Sequence, residues 1–268
     1  MSRVVSCLCL LWCGSLLLPI AGCGPGSSSE QSTTVVILGA ASTKDALQEM
    51  ADAAQQVLGE DIQIEISTGP SHALAQQILS GAPADIYISA NQKWADELVA
   101  AGLTEDSTAW LANALVLIVP KSSSQKVTTL EDLTNDSVQR VAIAGQNVPA
   151  GIYAQQALAY HKLWEPLDAA GKIVRGHDVR STLAYAQRGE VDAAVVYSTD
   201  ARLTDQVTVV AQFDPASHDQ IVYPLVRVQT PEPSEAADRV YAFLQSERAQ
   251  TIAKKYGFVP LTSSEKGE

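Results

Sequence analysis

Four short segments of this chain carry the residue types needed to hold an anion without a cation. Gly39-Ala40-Ala41-Ser42 lies between an apolar strand and a helix from Lys44, and Gly69-Pro70-Ser71-His72 stands directly before a second helix. Val148-Pro149-Ala150-Gly151 opens a helix that carries Tyr153, and Asp178-Val179-Arg180 opens a fourth. Each helix N-terminus exposes unpaired backbone N–H groups and about half a positive charge. Several such ends in one cleft would bind an anion through neutral donors. Ser42, with Asp45 three residues on, also has the pattern of a helix cap. Tyr197 closes the run Val191–Tyr197, which places its phenol to donate at a strand's carboxyl end.

Other chemistries fit the sequence less well. Gly69-Pro70-Ser71-His72-Ala73 approximates the nucleophile elbow G-x-S-x-G, and Asp200 and His218 could be nominated as acid and base for a Ser71-dependent esterase. Alanine, however, replaces the second glycine, and only about two strands precede the serine. His72, His161, His177 and His218 show no metal-ligand spacing, and no phosphate loop of the G-x-x-x-x-G-K type occurs. The 268 residues hold 18 Lys+Arg against 30 Asp+Glu, a net charge of −12 with no basic cluster, which excludes a nucleic-acid partner. That acidity does not exclude an anion held inside a cleft by dipoles and hydroxyls.

All four cysteines, Cys7, Cys9, Cys13 and Cys23, lie in the first 23 residues, so no disulfide framework is expected in the folded part. Arg3 and the uncharged stretch Val4–Ile20 form the n- and h-regions of a secretory signal. Ile20-Ala21-Gly22-Cys23 resembles the bacterial lipoprotein signal, in which the cysteine is acylated and becomes the mature N-terminus. Cleavage there removes 22 residues including Arg3, leaving 246 with a net charge of −13. Residues 24–34 (GPGSSSEQSTT) have the composition of a flexible tether. The protein is thus expected outside the cytoplasm, held on a membrane through acylated Cys23.

The elements that must position these turns follow from apolar periodicity. Strands are expected at Thr34–Leu38, Ile62–Ile66, Asp85–Ser89, Ala114–Val119, Val141–Ala144, Ile173–Val174, Ala193–Tyr197, Val207–Ala211 and Ile221–Val228. Helices are expected at Lys44–Leu58, Ala73–Leu79, Gln92–Ala101, Ala154–His161 and Thr182–Arg188, with one long helix over Ser234–Lys255. Alternating strands and crossover helices imply a mostly parallel sheet covered on both faces, and the mature length suits two domains.

Several blocks, in order, resemble the periplasmic molybdate-binding proteins of ABC transporters, within the type II solute-binding fold. They are GAASTKDAL (Gly39–Leu47), LAQQILSGAPADIYISANQKWADEL (Leu74–Leu98), VPAGIYAQQAL (Val148–Leu158), DVRSTLAYAQRGEVDAAVVYSTDA (Asp178–Ala201) and KKYGF (Lys254–Phe258), and the likeness runs from about Val35 to Val259. The resemblance implies an α/β fold of two lobes, each a mostly parallel sheet flanked by helices, with the ligand cleft between them. The domains expected are a signal peptide over 1–22, a tether over 23–33, lobe 1 over 34–111 plus 201–262, and lobe 2 over 112–200. It also implies that Ser42, Ser71, Ala150, Val179 and Tyr197 hold a small tetrahedral oxyanion, molybdate or tungstate, touching its oxygens and not the metal. Pro70 removes one backbone donor beside Ser71. The further implications are no cofactor, no catalysis, a monomer, and delivery to a membrane permease driven by a cytoplasmic ATPase. A sensory lipoprotein on the same fold is the remaining alternative.

Overall fold

The apolar run at the start of the body forms β1 (Thr33–Ala40), which pairs in parallel with β2 (Ile62–Gly69) on one side and β3 (Ile86–Ile88) on the other. A strand flanked on both sides and covered on both faces must be apolar throughout, and Val35, Ile37 and Leu38 are buried. The computed structural model describes residues 33–123, 126–232 and 234–261. The expected signal peptide, Cys23 and nearly all of the tether lie outside the described residues.

Helices α1 (Lys44–Leu58), α2 (Ser71–Leu79) and α3 (Gln92–Ala100) follow these three strands. In α1 the stripe Ala46, Leu47, Met50 and Ala54 is buried, as its spacing requires. β4 (Thr104–Ala112), β10 (Val222–Val228) and β11 (Val259–Pro260) complete a first sheet of order β11-β4-β10-β3-β1-β2. A second sheet, β7-β6-β8-β5-β9, contains β5 (Leu115–Pro120), β6 (Val141–Ala144), β7 (Ile173–Gly176), β8 (Ala193–Tyr197) and β9 (Val207–Gln212). Helices α4 (Pro149–Tyr160), α5 (Trp164–Ala169), α6 (Val179–Gln187) and α7 (Ser198–Ala201) belong to this stretch of chain. The chain passes from the first sheet to the second after β4 and returns before β10. Val207–Gln212, expected with lobe 1, pairs with β5 in the second sheet.

Both sheets are mixed, not mostly parallel. β10 runs antiparallel to β3 and β4, and β5 antiparallel to β8 and β9, while β1–β2, β1–β3, β6–β7 and β6–β8 are parallel. β5 and β10 each enter their sheet by a crossing instead of a covering helix, so no crossover fixes their direction. The helix expected over Ser234–Lys255 is two, α8 (Glu235–Leu244) and α9 (Glu247–Lys255). Ser246 leaves the helical conformation (φ −70°, ψ 160°) and its hydroxyl accepts the Ala249 N–H, so it caps a new helix. The larger core draws on both sheets, and a smaller one, with Leu74, Tyr87, Trp94 and Leu98, lies beneath α2 and α3. Among the described residues no helix is long and apolar enough to cross a membrane.

Candidate functional site

Strand register decides which turns become neighbours. In the first sheet Ala40 is paired with Gly69, so Ser42 and Ser71, each two residues further on, leave the sheet side by side. In the second sheet Ala144 is paired with Gly176, and the Gly145 N–H donates to the Gly176 carbonyl at 2.9 Å, so the turns that open α4 and α6 are also adjacent. Tyr197 ends β8, the strand on the other side of β6. Ser42, Ser71, Ala150, Val179 and Tyr197 all line one small cavity that is in part open to solvent. No lysine or arginine lines it, and its one acidic residue, Asp178, is turned to a structural task.

Local sequence explains why helix ends face this cavity. Asp178 caps α6, its Oδ1 accepting the Ser181 N–H at 2.7 Å while Ser181 Oγ receives the Asp178 N–H, a capping box that leaves the Val179 N–H without an intrahelical acceptor. In α4, Pro149 occupies the first position, where a missing N–H costs nothing, and Ala150 supplies the first amide. Gly151 lets that turn reach β6, since a Cβ there would overlap the carbonyl oxygens of Ala144 and Gly145. At α2, Pro70 stands one residue before the helix and its carbonyl accepts from Ala73 and Leu74, so the donor that proline lacks precedes the amides of the first turn.

Two of the three side-chain hydroxyls have a proton free to give, and the third shares a hydrogen bond with a tyrosine. Ser71 Oγ accepts the Ala90 N–H at 3.0 Å, which leaves its own proton free. Tyr87 donates to the Ser71 carbonyl at 2.8 Å and fixes this turn. Ser42 is not the helix cap that its spacing suggests. It lies in the short 3-10 turn Ala41–Thr43, and its Oγ is 2.9 Å from Tyr223 Oη. Tyr197 is 1 % exposed, and its Oη has no hydrogen-bond partner among the described residues. A buried hydroxyl without a partner costs about 1–3 kcal/mol, so the geometry leaves a place for an acceptor. Burial, together with Tyr223, Tyr153 and Asp200 nearby, pushes the Tyr197 phenol well above its ordinary pKa and keeps its proton on.

The catalytic groups that could be nominated are engaged elsewhere. Asp200, wholly buried, sits 2.8 Å from Arg180 Nε, and His218 Nδ1 lies 2.8 Å from the Asp219 carbonyl oxygen. Neither orients a base toward Ser71. Among the described residues no three His, Cys, Asp or Glu side chains gather as they would around a metal ion.

Sequence reasoning does not single out Tyr223, Asn113 or Ala90, and it names Asp45 and Asp200 without pairing either with Arg180. Tyr223 sits in an ordinary strand 181 residues from Ser42, and no local pattern announces the contact.

Residues 35–259 match the family described as bacterial extracellular solute-binding protein. YvgL of Bacillus subtilis (strain 168), provisionally named an ABC transporter substrate-binding lipoprotein, is 38% identical over 250 residues, covering 90% of this chain and 93% of its own. The molybdate-binding protein ModA of Escherichia coli (strain K12) is 35% identical over 240 residues, covering 87% and 91%. The periplasmic molybdate-binding protein of Azotobacter vinelandii superposes with a TM-score of 0.74 at 22% identity, over 85% of this chain and all of that one, and shares the fold. The family is one of solute binders and not of enzymes. The chain belongs to the bacterial extracellular solute-binding protein family and, within it, to the ModA-like group.

Proposed function

We propose that the protein captures molybdate, and tungstate with it, outside the cytoplasm and delivers it to the permease of an ABC transporter, anchored by lipid on Cys23. The observation that carries this reading is the donor set. The Ser71 hydroxyl and the Tyr197 phenol, each free to donate, line one small cavity with the Ser42 hydroxyl and the amide ends of α4 and α6, and no cationic side chain lines it. Helix dipoles and polarised amides offset the charge of a dianion in such a site.

Donors alone also select. A fully deprotonated oxyanion only accepts hydrogen bonds, whereas a protonated phosphate presents an O–H to a site without an acceptor. Cavity size then separates molybdate and tungstate from the smaller sulfate. The names of the ModA relatives support molybdate, and the lipoprotein name of YvgL supports the anchor. We further read the two sheets as the cores of two lobes that close over the ligand by hinge motion at the two crossings, with β9 in the second lobe.

The site assignment is tested by replacing the serines. Ser42→Ala and Ser71→Ala should each weaken molybdate binding by about 1–3 kcal/mol, because each leaves a buried acceptor unpaired. Wild-type affinity in both variants would reject these residues as ligands.

A further inference from the structure

Behind Ser42 runs a chain of hydrogen bonds whose direction is fixed from its far end. Asn113 lies on the crossing between the two sheets, and its side-chain oxygen accepts the Ala114 N–H at 2.9 Å and the Ser198 hydroxyl at 3.1 Å. Its amide nitrogen therefore faces the other way and donates to Thr199 Oγ1 at 2.9 Å and to Tyr223 Oη at 3.2 Å. Tyr223 is fully buried, and having accepted from Asn113 its oxygen has one proton to give. The acceptor in reach is Ser42 Oγ at 2.9 Å. Ser42, accepting from Tyr223, turns its own proton to the cavity.

We propose that Tyr223 is a positioning residue that makes Ser42 a one-way donor to the bound oxyanion, with Asn113 setting the direction of the relay. The inference rests on the reading of the cavity as an oxyanion site and adds a source for its selectivity. Each link polarises the next, so the Ser42 O–H meets the anion as a stronger donor than an isolated serine. With one lone pair taken by Tyr223 and its proton turned to the anion, Ser42 is a poorer acceptor for a ligand's proton than a freely turning serine. Without Tyr223 the Ser42 hydroxyl turns freely and can accept, and an oxyanion that carries a proton is no longer penalised there. The relay also ties the donor in the first sheet to the crossing that any hinge motion must bend.

The test is a double-mutant cycle on the full chain, read by calorimetric titration with sodium molybdate and, separately, with arsenate at pH 7. Tyr223→Phe preserves the ring and its packing and removes only the hydroxyl. It is expected to weaken molybdate binding by about three- to tenfold, the worth of one hydrogen bond. In the Ser42→Ala background the same change is expected to have no further effect, because Tyr223 acts through Ser42. The ratio of arsenate to molybdate dissociation constants should fall in Tyr223→Phe, since arsenate is partly protonated at that pH. Equal losses in both backgrounds, an unchanged ratio, or unaltered molybdate affinity in Tyr223→Phe would each overturn the relay. If Ser42→Ala binds too weakly to titrate, the ratio in Tyr223→Phe decides alone. Failure of the wild-type protein to bind molybdate would be a different result, overturning the proposed function and the relay with it.

Discussion

Arg180 Nη2 lies 2.6 Å from Asp45 Oδ2, an ion pair that joins α6 of the second sheet to α1 of the first at the edge of the cavity. The same guanidinium donates to the Ser42 carbonyl at 3.3 Å and pairs through Nε with buried Asp200 at 2.8 Å. Asp45 and Asp200 thus hold Arg180, which does not line the cavity, as a strut and not as a charge offered to the ligand. Asp45 is 43% exposed, so its share is that of a screened surface pair. Asp45→Asn should shorten the lifetime of the oxyanion complex by about two- to fivefold, and less in high salt, as measured by stopped-flow dissociation. Arg180→Ala should be far more damaging. It removes the cation that draws the Asp200 proton off, so the buried carboxyl stays neutral but loses its partner, and thermal denaturation should show a loss of about 1–3 kcal/mol at neutral pH.

Asp200 supplies a pH dependence. Burial pushes its carboxyl up to about 7 against the pull of Arg180, while in the unfolded chain it titrates near 3.9. The folded state therefore binds this proton more tightly than the unfolded state does. The stability it contributes is full below about pH 4 and is lost as pH rises through about 7. In urea unfolding, wild type minus Asp200→Asn should fall between those pH values and level off above them. A difference that is flat or rising across that window would contradict the assignment.

Tyr197 allows a test in which two effects have opposite sign. Its unpartnered hydroxyl is a burden on the empty protein and a donor to the filled one. Tyr197→Phe should raise the stability of the ligand-free form by about 1 kcal/mol and weaken molybdate binding by about 1–3 kcal/mol. A variant that loses both stability and affinity would show instead that the phenol has an internal partner.

Much of this architecture is legible in the sequence, and the limits follow one physical line. Lys44–Leu58, Val141–Ala144 and Ala193–Tyr197 carry enough apolar pattern to be bounded to the residue. Thr104–Ala112 does not. Its first residues, TEDST, are polar, and it is a strand because β10 and β11 pair with it from more than 100 residues away. Strand direction in the mixed sheets is likewise a matter of non-local pairing. The division of α8 from α9 was readable in principle, for Ser246 is a capping residue, but the apolar stripe continues across it and hides the break. In the site, the residues at the helix-opening turns are visible because those turns have local signatures. The layer that orients them is not, since Tyr223 to Ser42, Asn113 to Tyr223 and Arg180 to Asp45 span 181, 110 and 135 residues.

The central claim, an oxyanion receptor built from neutral donors, is tested most directly by calorimetric titration of the full-length protein with molybdate, followed by competition with tungstate, sulfate and phosphate. The account predicts one molybdate per chain, displacement by tungstate, and little competition from sulfate or phosphate. Saturating molybdate that gives neither heat nor a shift in melting temperature, or sulfate and phosphate that displace it as readily as tungstate, would contradict it.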